Sequence, residues 1–300
     1  MKRLPTMKQL EYLAALADTQ HFGRASERCN VTQSTLSAGI RDLEAVLGTA
    51  VAERSNRRVV ITRVGERIAE RARALLLDAE EVMELARAGR APMTGEMRLG
   101  VIPTIGPFLL PRVLPALRER FPELTVYLRE EQTGPLLARL EDGEVDAALI
   151  ALPCETGDLA TEDIGEDEFL FACDRDHALA GAGKVPLGAL AGEPLLLLEE
   201  GHCLRGHALD VCRMGDRRAR AQFEASSLHT LVQMVAAGIG VTLVPRLAVD
   251  AHITEGTDIS LSRLAAPASR RIGLAWRQTS LRADEFQLLA RALRELAELS

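Results

Sequence analysis

The sequence predicts an α/β protein in three consecutive parts: a small helical domain that ends in a β-hairpin, one long helix, and a larger body. Three observations support this division. Residues 6–48 contain amphipathic helical stretches joined by a tight turn, residues 63–90 contain no proline, and strands alternate with helices from Met97 onward. The predicted parts are residues 1–62, 63–92 and 93–300.

Composition excludes several classes of protein. No apolar run in the 300 residues approaches the ~20 residues of a membrane span, and the N-terminus lacks a secretory apolar segment, so we expect a cytoplasmic protein. Residues 1–93 carry a net charge of +3 and residues 94–300 carry −10, which favours nucleic-acid contact at the N-terminus alone. Five cysteines in a reducing compartment favour transient, redox-active disulfides over structural ones.

The first 48 residues are typical of a helix-turn-helix. Thr6 is a candidate N-cap for a helix over residues 6–19, Gly23 allows a turn, and a later helix runs from a Thr32 cap to Gly48. That later helix begins with small polar side chains, which suit entry into a DNA major groove. An ordinary capped helix is the alternative interpretation. The predicted groove contacts are Gln33, Ser34, Thr35, Ser37 and Arg41.

A basic β-hairpin is predicted directly after this helix. Residues 50–53 and 59–62 have the character of strands, and the connecting turn carries Arg54, Arg57 and Arg58. A basic hairpin after a helix-turn-helix is a wing, whose arginines suit phosphate or minor-groove contacts.

The long helix, residues 63–90, carries apolar residues at alternating spacings of three and four. Such a seam is typical of a coiled coil, so we predict a homodimer through this helix. An amphipathic helix that packs inside its own chain is the alternative. The seam consists of Ile68, Ala72, Leu75, Ala79, Val82 and Ala86.

The body is predicted to contain mostly parallel sheets in two subdomains with a cleft between them. Ligands of such sheets bind beyond the carboxyl ends of strands, which here means residues 103–106, 131–134 and 201–203. The predicted strands span residues 97–103, 124–131, 145–152, 168–174, 194–200, 219–225, 240–245, 259–264 and 270–277. The predicted helices span residues 109–122, 135–144, 227–237 and 281–297.

The stretch GHCLRGHALDVC, residues 201–212, carries the most distinctive chemistry. We predict that Cys203 opens a helix, where unpaired N–H groups and nearby cations favour a reactive thiolate. If one helix spans residues 203–212, the two sulfurs lie on opposite faces, separated by roughly 13 Å of axial rise. A disulfide requires Cα atoms about 4.4–6.8 Å apart, so a Cys203–Cys212 bond would require the segment to unwind.

Three alternatives remain for this stretch. The two cysteines could be unrelated, since free cysteine is commonly buried without a function. The stretch could belong to a thiol enzyme. A metal site would use His202, Cys203, His207 and Cys212, but on a helix Cys212 points about 140° away from His207, so three ligands do not converge.

The N-terminal order of elements, with FGRASERCNVTQSTLSAGIRDLEAVLG and the basic hairpin, resembles the LysR-type transcriptional regulators over residues 5–65. The body segments VIPTIGPFLLP, EQTGPLLARL, LEEGHCLRGHALDVC, MVAAGIGVTLVP and IGLAWR are similar to those of the family members that sense hydrogen peroxide. The resemblance implies a DNA-binding regulator that is not an enzyme. It also implies a periplasmic-binding-protein-like regulatory domain of two α/β subdomains.

The resemblance implies further partners and residue roles. The partners would be double-stranded promoter DNA, RNA polymerase, other copies of the chain in a tetramer, and a thiol reductant of glutaredoxin or thioredoxin type, with no cofactor and no metal. Cys203 matches the peroxide-reacting cysteine and Cys212 the resolving one. The peroxide pocket would contain Thr104, His202, Thr133 and Arg277.

Other residues are expected to be inert. We expect His207 to be a solvated surface side chain, and Cys29, Cys154 and Cys173 to be core residues. The alternative function is a LysR-type regulator that responds to a small organic effector and whose cysteines are incidental.

Overall fold

A computed structural model describes residues 4–54, 59–87, 92–190, 192–211, 224–266 and 268–297. The chain divides into two compact units, Met1–Gly89 and Arg90–Ser300. Arg57, Arg58 and Cys212, which are among the predicted site residues, lie outside the described residues.

The first unit is a helix-turn-helix followed by a two-stranded hairpin and a long helix. Its elements are α1 (Met7–Thr19), α2 (Phe22–Arg28), α3 (Gln33–Leu47), β1 (Ala52–Arg54), β2 (Val59–Ile61) and α4 (Arg63–Arg87). Strands β1 and β2 pair in antiparallel register, which confirms the predicted hairpin.

Local capping explains where the first helices begin. The Thr6 hydroxyl accepts a hydrogen bond from the Gln9 amide while the Gln9 side chain accepts one from the Thr6 amide, which is a complete capping box. The Thr32 hydroxyl accepts from the Thr35 amide, and Gly48 ends α3 in the left-handed conformation at φ 69°. The N-caps predicted at Thr6 and Thr32 and the helix end predicted at Gly48 are therefore confirmed.

The apolar seam of α4 has two different environments. Ala72 is buried and Ile68 packs against the apolar core that α1 and α3 build. Leu75 and Val82 are exposed. The first members of the seam therefore pack inside the unit, as the intramolecular alternative predicts, whereas Leu75 and Val82 face solvent.

The second unit alternates strands and helices along most of its length. It begins with β3 (Gly95–Val101), α5 (Gly106–Arg120), β4 (Leu124–Glu130), α6 (Thr133–Glu141), β5 (Ala147–Leu152) and β6 (Leu159–Asp174). It continues with β7 (Lys184–Val185), α7 (Leu187–Leu190), β8 (Leu197–Leu198), α8 (Cys203–Val211), β9 (Glu224–Ala225) and α9 (Leu228–Ala236). It ends with β10 (Thr242–Pro245), α10 (Arg246–Asp250), β11 (Ile259–Leu264), β12 (Ser269–Arg277) and α11 (Ala283–Ala297).

An eight-stranded sheet organises the second unit, in the order β4-β3-β5-β12-β6-β11-β7 with β10 also on β6. The long strand β6 joins the two halves of this sheet. Its first part pairs with β12, and its last residues pair with β10 and β11. A separate two-stranded sheet holds β8 and β9.

The expectation of mostly parallel sheets is wrong. Strand β3 is parallel to β4 and β5, β11 is parallel to β7, and β8 is parallel to β9. The longer pairings at the centre are antiparallel: β12 with β5 and β6, and β10 and β11 with β6. The reason is that β12 returns from the end of the chain into the centre of the sheet, so its direction is set by a long-range connection that strand–helix alternation does not reveal.

One continuous apolar core supports the second unit, and strand β5 is buried at every position. A strand covered on both faces must be apolar throughout, which explains the run AALIAL at residues 147–152. Within the described ranges, no helix combines the length and the apolar character that a membrane crossing requires.

Candidate functional site

Cys203 is the first residue of α8, as the sequence predicts, and it is a half-buried free thiol. Three residues of the helix are buried, namely Leu204, Ala208 and Leu209, so α8 docks on the body by one face. The helix extends as far as Val211. Cys203 thus lies in the first turn of α8, where the backbone N–H groups of a helix have no partner inside the helix.

The approach to Cys203 requires a glycine. Gly201 has φ +96°, and a Cβ at this position would lie 2.4 Å from the Oε1 atom of Gln132. The Gln132 side chain also donates a long hydrogen bond of 3.5 Å to Glu199. Because Gln132 is the N-cap residue of α6, these contacts bring the start of α6 beside the start of α8.

Two predicted pocket residues at these helix starts have polar atoms without a partner. Thr133 is the first residue of α6, and its buried hydroxyl has no hydrogen-bond partner among the described residues. His202 is 7% exposed, and its Nε2 atom likewise has no hydrogen-bond partner within the described part, although Glu199 Oε1 lies 4.0 Å away. Unpaired buried polar atoms are uncommon, so both atoms could bond a small polar ligand.

The charge state of His202 follows from its burial. Desolvation lowers the pKa of the imidazole, and this effect outweighs the opposing influence of Glu199 and of a backbone hydrogen bond with Ser226. The lowered pKa favours the neutral ring, which can donate or accept a hydrogen bond. His202 therefore suits the handling of a neutral, polar ligand.

The third predicted pocket residue, Thr104, belongs to a fully buried polar network. The Arg270 guanidinium donates to both the hydroxyl and the carbonyl of Thr104, at 2.8 Å each. Arg270 Nε also donates to Asp167 at 2.9 Å, and both of these charged side chains have 0% exposure. Asp167 in turn accepts the amide of Leu247 at the start of α10. The Thr104 hydroxyl is thus fixed in position by a buried cation.

The prediction that Arg277 lies in the pocket is wrong. Its guanidinium donates to the carbonyl oxygens of Leu140, near the C-terminal end of α6, and of Val145 just beyond it. Thr133 begins that helix, about 10 Å from Leu140 along its axis. The arginine that contacts Thr104 is Arg270, seven residues earlier on β12 and about 23 Å distant along the strand.

The strand pattern of the sequence indicates that Arg270 is buried, but it does not identify the partner of its charge. Side chains alternate along a strand, so Arg270 is in phase with the buried Ile272, while Arg271 is exposed and pairs with Asp163. A charged residue in a buried phase requires a partner of opposite charge. That partner, Asp167, lies directly opposite on β6 but is 103 residues distant in the sequence.

The expectation that His207 is solvated is also wrong. Its Nε2 atom lies 3.3 Å from the carbonyl oxygen of Pro153, its ring packs near Phe169 with centroids 6.5 Å apart, and its Nδ1 atom is buried without a partner in the described part. Desolvation lowers the pKa of His207, and the nearby charge of Arg270 lowers it further. His207 is therefore a packed residue one helical turn from Cys203.

The remaining described cysteines differ from one another. Cys29 and Cys173 are core residues, as predicted, and burial raises the pKa of both thiols. Cys154 is half-buried, and its pKa is raised to about 11 by burial and by the charge of Cys203. Cys154 packs against the core, as predicted, but it also lies close enough to Cys203 for a charge on Cys203 to raise its pKa. The sequence gives no indication of this proximity.

Arg205, a cation that the sequence places within one helical turn of Cys203, already has partners. Arg205 donates to the carbonyl of Leu198 and forms an ion pair with Glu224 at 2.8 Å. Its charge is therefore largely balanced. In the residues that the structure describes, no group of three or more His, Cys, Asp or Glu side chains could hold a metal ion.

The candidate DNA-binding surface lies on the first turns of α3. Gln33, Ser34, Thr35 and Arg41 are exposed, and Ser37 is half-buried. The Thr32 hydroxyl lies within hydrogen-bond distance of the Ser34 and Thr35 hydroxyls, which orders this polar start. Arg54 ends β1.

Comparison with known families agrees with this architecture. Residues 7–66 match the bacterial regulatory helix-turn-helix protein, lysR family, and residues 90–298 match the LysR substrate binding domain. The chain belongs to the LysR family of transcriptional regulators.

Individual relatives are similar over nearly the whole chain. A probable hydrogen peroxide-inducible genes activator of Mycobacterium avium is 44% identical, over 97% of this chain and 94% of that protein. The HTH-type transcriptional regulator EstR of Acinetobacter baylyi is 38% identical, over 99% and 98% of the two chains. Among solved structures, a full-length OxyR variant from Pseudomonas aeruginosa is 36% identical with a TM-score of 0.79, over 98% of this chain and 96% of that one.

The buried ion pair generates a stability prediction. Arg270→Met would leave Asp167 charged and without its buried partner, so we expect the free energy of unfolding of the second unit to fall by about 3–5 kcal/mol. Urea unfolding followed by the fluorescence of Trp276, the single tryptophan of the chain, would measure this loss. The matched control is Arg271→Met, which removes an exposed ion pair worth about 0–1 kcal/mol. Equal losses in the two variants would contradict the assigned role.

Proposed function

We propose that this regulator senses hydrogen peroxide through oxidation of Cys203 and disulfide formation with Cys212, and thereby controls antioxidant genes. The observation that carries the proposal is the position of Cys203, a free thiol at the first residue of α8 that directly follows His202, whose buried Nε2 has no hydrogen-bond partner in the described part of the chain. The similarity to a peroxide-inducible genes activator over 97% of the chain supports it.

The chemistry needs few groups. A Cys203 thiolate attacks one oxygen of peroxide, the O–O bond breaks, and sulfenic acid and hydroxide form. Thr104, Thr133 and His202 are the proposed hydrogen-bonding groups of the pocket, and Arg270 fixes the Thr104 hydroxyl. Arg277 is not part of this proposal because its guanidinium holds the end of α6.

The second step couples oxidation to a change of shape. The Cys212 thiol condenses with the sulfenic acid, which gives a disulfide and releases water. Cys203 begins α8, and eight further residues of helix precede Cys212. A regular helix of that length rises about 12 Å, so the bond requires α8 to unwind. Residues that α8 buries, such as Leu204 and Leu209, must then find new surroundings.

The partners follow from the two units. We propose that the first turns of α3 read promoter DNA in the major groove and that the hairpin contacts its backbone. Exposed Leu75 and Val82 support a homodimer through α4, with a tetramer as the full assembly. RNA polymerase and a thiol reductant of glutaredoxin or thioredoxin type complete the proposed cycle in the cytoplasm, without a cofactor.

A second candidate function is the sensing of a small organic effector. It is favoured by the similarity to EstR over 99% of the chain and by the family description of residues 90–298 as a substrate binding domain. Under that function the cysteines are incidental, and an effector would bind in the cleft that the sequence predicts between the two subdomains.

The deciding experiment is the response of Cys203→Ser to peroxide. We expect stoichiometric peroxide to yield a Cys203–Cys212 disulfide in the wild-type chain, seen by peptide mass mapping, and to change its footprint on promoter DNA. Cys203→Ser should retain DNA binding but lose the change of footprint. A Cys203→Ser chain that responds to peroxide like the wild type would contradict the proposal. Cys29→Ser, which changes a buried cysteine of the first unit, is the control and should respond like the wild type.

A second prediction concerns Arg41, which is exposed on α3. If its guanidinium contacts phosphate, Arg41→Ala should weaken binding to cognate and unrelated duplexes alike and reduce the salt-dependence slope by about 1. Fluorescence anisotropy titrations at several salt concentrations would measure both. Arg175→Ala, an exposed arginine of the second unit, should leave affinity and slope unchanged. A loss confined to the cognate sequence would instead place Arg41 at a base edge.

A third prediction tests the unwinding of α8. Gly206 lies inside this helix with open space around it, so Gly206→Ala would stabilise the helix by up to about 1 kcal/mol. We expect the Cys203–Cys212 bond to form up to about fivefold more slowly, while sulfenic acid forms at the wild-type rate. Rapid-quench alkylation with mass mapping separates the two steps. Gly188→Ala, in α7, is the control. An unchanged rate in Gly206→Ala would mean that unwinding does not limit the reaction.

A further inference from the structure

Cys154 lies in the loop between β5 and β6, and this loop contacts α8 through a hydrogen bond. The Pro153 carbonyl oxygen lies 3.3 Å from Nε2 of His207. His207 and Cys203 are four residues apart on α8, so they share one face of the helix. Cys154, next to Pro153, and Cys203 both pack against the same apolar core. The folded helix thus presents Cys203 toward the segment that carries Cys154.

Electrostatics agrees with this placement. Burial raises the pKa of the Cys154 thiol, and the negative charge of a Cys203 thiolate raises it further, to about 11. Oxidation converts that thiolate into an uncharged sulfenic acid. The repulsion then disappears, so the reaction of Cys203 with peroxide itself makes Cys154 easier to ionise.

We propose that Cys154 is a second resolving thiol, which forms a disulfide with the sulfenic acid of Cys203 while α8 remains folded. The inference rests on the proposed oxidation of Cys203 by hydrogen peroxide. The Cys154 sulfur attacks the Cys203 sulfur, the S–O bond breaks, and the departing hydroxide takes the Cys154 proton. The products are one disulfide and one water, and the oxidising equivalents come from the peroxide.

Two other described cysteines do not fit this role. Cys173 is fully buried on β6, with its sulfur 3.9 Å from the Ser260 carbonyl oxygen. Cys29 belongs to the core of the first unit. Cys173 is therefore a suitable control, because it is a thiol of the same unit that should not react.

The test uses the full-length Cys212→Ser chain, in which the proposed partner at position 212 is absent. After one equivalent of hydrogen peroxide and alkylation of free thiols, we expect an intramolecular Cys154–Cys203 linkage in peptide maps. Cleavage after Lys and Arg leaves Cys154 and Cys173 on one peptide, residues 140–175, so a second cleavage after Glu155 is needed to separate them. The linkage should persist in Cys173→Ser/Cys212→Ser.

The matched variant is Cys154→Ser/Cys212→Ser, in which we expect complete loss of the linkage and accumulation of a dimedone-reactive sulfenic acid at Cys203. Cys154→Ala/Cys212→Ala repeats the test with a different side chain, and circular dichroism checks folding. The proposal is overturned if Cys212→Ser retains a free Cys154 beside sulfenic or sulfinic acid at Cys203, or links only between chains. If the wild type then still forms the Cys203–Cys212 disulfide, the proposed function stands and only the proposal for Cys154 fails. If peroxide leaves Cys203 of the wild type reduced, both the proposed function and the proposal for Cys154 fail.

Discussion

The buried ion pair between Arg270 and Asp167 fixes the surroundings of the candidate site. Asp167 joins β6 to the start of α10, and Arg270 joins β12 to the segment before α5 through Thr104. Neither charge can be satisfied by solvent, since both side chains have 0% exposure. Because one guanidinium holds several segments, a displacement of any of them disturbs the whole network. The position of Thr104 in the proposed pocket is therefore fixed by this network.

Helix α8 is a much weaker element than this framework. A helix of nine residues is marginal without tertiary support, and an internal glycine at position 206 lowers its propensity further. Its support comes from one buried face, from the Arg205 contacts with Leu198 and Glu224, and from the contact between His207 and Pro153. The candidate site thus combines a framework fixed by a buried ion pair with a short helix that depends on one buried face and a few contacts for its stability.

The sequence predicts the locally determined features well and the long-range ones poorly. Caps at Thr6 and Thr32 and the start of α8 at Cys203 depend on neighbouring residues, and all three are confirmed. The sequence does not predict the first half of β6, because charged residues there obscure the alternation of apolar and polar residues that is typical of a strand. That half is stabilised by pairing with β12, which is distant in the sequence. For the same reason the sequence does not single out Arg270 and wrongly suggests a solvated His207, since their partners Asp167 and Pro153 are 103 and 54 residues away.

Two proposed partners for oxidised Cys203 place opposite demands on α8. A bond to Cys154 forms with the helix intact, because the loop of Cys154 already contacts the helix through His207. A bond to Cys212 requires the helix to open first. The ratio of the two products then depends on the opening equilibrium, and every ~1.4 kcal/mol of helix stability changes it tenfold. Any contact that stabilises α8 would divert oxidation toward the bond that preserves the fold, so the output depends on helix stability as well as on oxidant concentration.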